Sequence, residues 1–243
     1  LVGFLGLEGA WVGHLQEIGI RVYNGTLNIL AFLATMMISY RLANSYGEEG
    51  ITYAIFSLAC LFVLFPVTIP VTVPTGEVFQ VSGLISGNES GASGMFVGIF
   101  VALISTELFR KVSASPKLKI TLADSVPPSV SRSFNVLIPM ILVLTLLSIF
   151  AWSLTSLFNK NIHEIVTLMI QAPLQNILQG LSGVIGLLLT QNGLWWAGIH
   201  GASIMYPITE TTLLVAIQEN TAAFKAGLEI PHIVTKPFLD AFG

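Results

Sequence analysis

The chain has 243 residues, 53% of them hydrophobic and only 9% charged, where a soluble domain carries roughly 25% charged residues to cover its surface. A net charge of −3 with scattered basic residues gives no broad positive field, which excludes a nucleic-acid partner as firmly as the hydropathy excludes a water-soluble globule. The one cysteine, Cys60, sits in an apolar run, which excludes a disulfide framework and a cysteine-based metal site within the chain.

Crossing about 30 Å of hydrocarbon takes about 20 apolar residues in a helix, the form that satisfies every backbone N–H and C=O internally. In chain order the hydropathy predicts six such spans, at about 22–42, 51–73, 92–110, 134–158, 165–190 and 193–217, after a short apolar patch in residues 1–21. None of these runs alternates with the period of two that a barrel strand needs. The predicted fold is an all-α integral membrane protein. Pro66, Pro70 and Pro74 fray the end of the second span, because each removes a helical hydrogen bond. Gly83 to Gly94, with Ser86, Asn88, Ser90 and Ser93, reads as a polar loop facing the outside water.

Lys and Arg set the orientation, because cytoplasmic loops keep positive charge. The loop from Arg110 to Arg132 carries Arg110, Lys111, Lys117, Lys119 and Arg132, whereas Pro74 to Gly91 carries Glu77 and Glu89 and no cation. The first is therefore cytoplasmic and the second outside. Arg41 then falls inside, and the Lys160 turn falls outside as a single exception. Leu1 in place of Met, and a final stretch from Ile230 that reads as the start of another element, predict a piece of a longer chain.

Polar residues at membrane depth cost a few kcal/mol each unless they face a partner or a wet cavity, so they are where chemistry is sought. The densest group is Trp195-Trp196-Ala197-Gly198-Ile199-His200-Gly201-Ala202-Ser203, near the cytoplasmic start of the last span. Indole rings stack on the apolar faces of a sugar, and a neutral imidazole offers one donor and one acceptor to its hydroxyls. A histidine bonded to a neighbouring helix, with tryptophans at the interface, fits the same residues equally well. The second group, Asp124-Ser125-Val126-Pro127-Pro128-Ser129-Val130-Ser131-Arg132-Ser133-Phe134, stiffens the basic loop, with Ser129 placed to cap the following helix. It reads either as a rigid helix start or as a surface for a partner, and its cations also suit anionic lipid. Glu210 could exchange a coupling proton or lie at a helix end. Pro231 to Phe242 is too broken for a span and too apolar for a free loop, which suits the start of a re-entrant segment beside a translocation path. No phosphate-binding glycine loop, metal-ligand spacing or Ser-His-Asp order is present, so neither a metal nor a cofactor is implied.

Three segments together resemble the enzyme IIC subunit of the lactose, cellobiose and chitobiose class of the phosphoenolpyruvate-dependent sugar phosphotransferase system. They are Val126 to Phe134, Trp195 to Gly201 with its Gly-Ile-His-Gly core, and Val234-Thr235-Lys236-Pro237-Phe238-Leu239-Asp240-Ala241-Phe242. Tyr23-Asn24-Gly25-Thr26-Leu27 and Glu219-Asn220-Thr221-Ala222-Ala223-Phe224 support it. Each motif is short, but their order, spacing and membrane setting agree.

The resemblance implies a multi-pass permease of the bacterial cytoplasmic membrane, working as a homodimer. Residues 1–158 would hold the dimer-contact helices and the cytoplasmic loop, and residues 159–243 the first part of the sugar-transport domain. A β-linked disaccharide would be carried inward and phosphorylated on its 6-hydroxyl by a phosphorylated IIB partner. His200, Gly201, Trp195 and Asp240 would contact the sugar, and Pro127, Pro128, Ser129 and Arg132 would lie where IIB docks. The family also carries a glutamate in an Asn-Glu-Pro motif; neither Glu210 nor Glu219 matches it, so phosphoryl transfer would need residues outside this sequence. The competing reading is an ion-coupled secondary sugar transporter built on Glu210.

Overall fold

The computed structural model describes residues 10–73, 76–118, 128–198 and 200–242. Helix α1 (Ala10–Gly25) passes through a short 3-10 turn at Leu27–Ile29 into α2 (Leu30–Ser45), and Trp11–Ser45 together is long and apolar enough to cross a membrane. The sequence predicts this span only from residue 22. The preceding stretch is helical too, with Trp11, Leu15, Ile18 and Val22 all exposed at the 4-3-4 spacing that places them along one face.

Helix α2 carries a small residue at every fourth position, and Ala31, Thr35, Ser39 and Ala43 are all fully buried. Small side chains let helices approach closely where hydrocarbon supplies no hydrophobic drive between them, and here they admit α3 (Gly50–Val63) and α5 (Met95–Ser113). The hydroxyl of Ser39 donates to the Tyr53 carbonyl at 2.9 Å and therefore accepts from Thr106 at 2.7 Å, since a hydroxyl has one hydrogen to give. Ser105 donates to Ser57 at 3.1 Å. Tyr53 and Phe56 close the core on Phe109, with ring centroids 4.8 and 4.5 Å apart. At one end of this bundle Arg110 lies 4.5 Å from the Tyr46 ring and 3.0 Å from Glu107, which ties the α2–α3 turn to the end of α5. The hydrogen bond to Glu107 holds the Tyr46 hydroxyl above its usual pKa.

The second predicted span departs from expectation. Helix α3 has 14 residues, about 21 Å at 1.5 Å per residue, and the chain then forms an antiparallel ribbon, β1 (Thr68–Thr72) with β2 (Val78–Ser82). Pro66 and Pro70 cannot extend a helix, but a two-stranded ribbon has free edges that tolerate Pro70, which pairs with Gln80. Pro74 lies outside the described residues. Nor is Gly83 to Gly94 an open loop. Ser86 accepts from the Asn88 N–H at 3.0 Å and caps a helical turn, α4 (Gly87–Ser90), and Ser90, Ala92 and Gly94 are buried.

Helix α6 (Pro128–Phe158) is followed by α7 (Ile162–Val166), which opens on a reciprocal cap between Asn161 and Glu164. A π-turn at Thr167–Gln171 leads to α8 (Ala172–Leu178). The chain then bends by 94° into α9 (Leu181–Trp196). Gly183 permits the bend, because a β-carbon there would fall 1.7 Å from the Ile177 carbonyl oxygen. Helices α10 (Gly201–Lys225) and α11 (Lys236–Phe242) complete the order.

Among the described residues three helical stretches are long and apolar enough to cross a membrane, Trp11–Ser45, Ala92–Ser113 and Phe134–Phe158, and a fourth results if the bent pair counts as one. The predicted span at 165–190 is that bent pair, broken where sequence reading draws one rod. Helix α10 has the length, but its Thr209-Glu210-Thr211-Thr212 run makes it less apolar.

Candidate functional site

The break between α9 and α10 is set by contact. Gly201 is buried, and a β-carbon on it would fall 2.2 Å from the Gln191 carbonyl oxygen. Helix α10 therefore starts hard against the backbone of α9. Just before it, the exposed His200 ring meets the Trp195 ring, with centroids 4.2 Å apart and planes at 50°. Trp195 is half exposed. The turn thus presents an indole face and an imidazole side by side on a fixed base, one suited to an apolar ring face and the other to hydroxyls.

Three of the predicted sugar residues, Trp195, His200 and Gly201, therefore come together. Asp240 belongs to a different cluster. It pairs with Lys236 one turn earlier on α11, and the same ammonium lies 3.3 Å from Glu210 and 5.7 Å from the centre of the Tyr206 ring. Glu210 and Tyr206 thus help fasten α11 to α10 through Lys236, while Asp240 pairs with that lysine within α11. Of the predicted docking residues, Pro127 lies outside the described residues. Pro128 occupies the first position of α6, where proline's missing N–H costs nothing. Ser129 is consequently inside the first turn rather than capping it, and Arg132 lies one turn on; the side chains of Pro128, Ser129 and Arg132 are outside the description.

Sequence reasoning missed the polar ties around the extended stretch before α11. The Asn220 side-chain amide bonds both backbone groups of His232, at 2.8 and 2.9 Å. Gln179 does the same to Val234, at 2.8 and 2.9 Å. Between them the His232 ring is hydrogen-bonded to Glu219, which also accepts from Gln175 at 3.3 Å. A signal for these residues was present: His163, Thr167, Gln171, Gln175 and Gln179 recur every fourth residue through a stretch whose only other polar residues are Glu164 and Asn176. Such spacing puts all five on one helix face, and His163, Gln171 and Gln175 are buried.

Residues 4–243 match the family described as Phosphotransferase system, EIIC. The chain is 33% identical over 221 residues to the oligo-beta-mannoside-specific EIIC component of Bacillus subtilis (strain 168), covering 89% of this chain and 48% of that protein. It is 32% identical over 251 residues to the cellobiose-specific EIIC component of Geobacillus stearothermophilus, covering 99% and 55%. Its fold resembles the crystal structure of the transporter ChbC, the IIC component of the N,N'-diacetylchitobiose-specific phosphotransferase system, with a TM-score of 0.79, 32% identity and coverage of 89% of this chain and 50% of that one. The chain spans about half the length of these relatives. Matched over nearly its whole length, and built of helices apolar enough to cross a membrane, it belongs to the integral membrane EIIC family of the phosphotransferase system.

Proposed function

We propose that the protein carrying this chain moves a β-linked disaccharide of the cellobiose, chitobiose or lactose type across the bacterial cytoplasmic membrane, coupled to phosphorylation by a phosphorylated IIB partner. The observation that carries the reading to residues is the Trp195–His200 pair on its fixed glycine base. In this reading Trp195 stacks on a sugar ring, His200 hydrogen-bonds near the 6-hydroxyl, and Gly201 keeps both in place. Asp240 contributes from α11, where it pairs with Lys236, the residue whose contact with Glu210 holds α11 against α10. Phosphorylation adds charge and removes the sugar from equilibrium with the outside, so accumulation needs no ion gradient.

Within this proposal Pro127, Pro128, Ser129 and Arg132 form the cytoplasmic docking surface for IIB. The helices of residues 1–158 contact a second copy, for which the exposed apolar face of α1 offers a surface, and residues 159–243 begin the transport domain. The six crossings of the sequence reading would need α3 and α10 as the remaining two. The secondary-transporter reading would rest on Glu210, whose carboxylate lies 3.3 Å from the Lys236 ammonium.

The test is uptake of labelled cellobiose and chitobiose by cells expressing the protein, with and without a working phosphoryl-donor cascade. Accumulation as the sugar phosphate only when the donor is present is the expected result. Accumulation that survives loss of the donor and collapses with the proton gradient would replace this reading.

A further inference from the structure

A polar cavity of about 720 Å³ lies at the far end of α10 from Gly201. Glu219 on its wall is eighteen residues beyond Gly201, about 27 Å along the helix axis at 1.5 Å per residue, so this cavity is not the site beside His200. It is walled by the α4 turn, by α7 with its π-turn, and by the last turns of α10.

Its lining contains polar groups with no hydrogen-bond partner among the described residues. His163 is 8% exposed and Gln171 2% exposed; both ring nitrogens of His163, the side-chain carbonyl oxygen of Gln171 and one carboxylate oxygen of Glu89 have no hydrogen-bond partner. Each buried polar group left unmatched costs about 1–3 kcal/mol, so these four atoms, on the buried His163 and Gln171 and the partly buried Glu89, mark a place shaped for a polar occupant rather than for packing. Gln218 reaches the same space, held only by 3.4 Å contacts to Ser93 and to the Gly87 carbonyl.

The occupant's chemistry follows from the walls. They mix amides, an imidazole, carboxylates and the ammonium groups of Lys160 and Lys225, so neither an anion nor a cation finds one sign of charge. Among the described residues no three His, Cys, Asp or Glu side chains converge as a metal would require. A molecule that is neutral and bears many groups able both to donate and to accept suits such walls, and the volume falls within the usual range of roughly 300–1,000 Å³ for small-molecule sites. A saccharide has that chemistry. Glu89 and Lys160 stand on the segments that the charge distribution places outside, so the cavity opens on the face from which sugar arrives.

We infer that this cavity is an outer reception site for a neutral saccharide, occupied before the sugar reaches the region of His200. The inference rests on the sugar-transport reading above. It is tested by equilibrium dialysis of the purified, detergent-solubilised protein that carries this chain against labelled cellobiose or chitobiose, whichever the uptake assay identifies. The wild type binds two sugars per chain. Gln171→Leu removes one site, His200→Ala removes the other, and the double variant binds none. The site surviving in each single variant reports that the protein has folded, and Gln218→Leu, which alters a partly exposed side chain, repeats the test should Gln171→Leu fail to fold. If both glutamine variants keep the wild-type stoichiometry and affinity, or if His200→Ala alone abolishes all binding, the reception site is overturned while the transport reading stands. If the wild type binds neither sugar, both are overturned.

Discussion

At Gly201 a hydrogen atom is all the α9–α10 contact can hold, because any β-carbon would meet the Gln191 carbonyl at 2.2 Å. Gly201→Ala must push α10 off α9, and overpacking of this kind costs about 1–3 kcal/mol. The expected outcome is a lower unfolding temperature in detergent together with weakened sugar binding, since the same shift misplaces His200. His200→Ala separates the two effects. The ring is exposed, so its removal leaves stability nearly unchanged while lowering sugar affinity about tenfold or more, which is about 1.4 kcal/mol or more; His200→Gln, which keeps a donor and an acceptor, recovers part of it. Equal affinity in His200→Ala and wild type, read by equilibrium binding, would make this histidine a structural residue, the alternative that its sequence left open. The Gly-Ile-His-Gly motif was legible without coordinates because it is local. That Lys236, the i,i+4 partner of Asp240, also meets Glu210 was not, because Glu210 lies on α10, twenty-six residues earlier in the chain.

Between elements, two side-chain amides do what a neighbouring strand would do. Asn220 and Gln179 each bond both backbone groups of one residue in the extended stretch before α11, so this non-helical backbone has its hydrogen bonds met. Each net bond contributes about 0.5–1.5 kcal/mol. Replacing both amides, Asn220→Leu with Gln179→Leu, removes four, and the expected result is rapid tryptic cleavage after Lys225, the Lys236–Pro237 bond being closed to trypsin, in a protein whose remaining helices stay resistant. Unchanged digestion would mean the stretch is held elsewhere. The helical pattern that predicts spans also contained this tie, in the every-fourth-residue series from His163 to Gln179. What hid it was reading 165–190 as one straight apolar span, when the helix ends at Leu178 and the chain bends by 94° into α9. Helix α2 shows the reverse case. Its small residues at every fourth position predict close packing, and Ala43→Leu, at a fully buried site, should destabilise the protein by about 1–3 kcal/mol, read as a drop in its thermal midpoint without loss of sugar affinity in the surviving fold.

For the molecule as a whole, hydropathy finds where apolar chain lies but not whether it runs straight. The second span became a short helix and a ribbon because prolines end helices, and the outer loop became a capped turn packed on α10 because Ser86 supplied the cap. Sidedness depends on neither detail. The Arg110–Tyr46 contact puts the α2–α3 turn and the end of α5 on one face; the end of α5 carries Arg110 and Lys111, and Arg41 precedes the turn on α2, cations of the kind that stay in the cytoplasm. The ribbon, with Glu77, and the Lys160 turn then lie on the other. The one cysteine of this chain, Cys60, is fully buried, so with any cysteine outside the chain replaced by serine, thiol labelling of intact cells starts from a silent background. With one cysteine introduced at a time, Glu77→Cys and Lys160→Cys should react with a membrane-impermeant maleimide from outside. Lys117→Cys, also exposed, should react only after the membrane is opened. Lys160 is the sharper probe, because it is a cation placed outside against the charge rule by the alternation of spans alone. Labelling of Lys117→Cys from outside with protection of the other two would invert the molecule. The His163–Gln171 cavity would then face the cytoplasm, and a sugar could not meet it first.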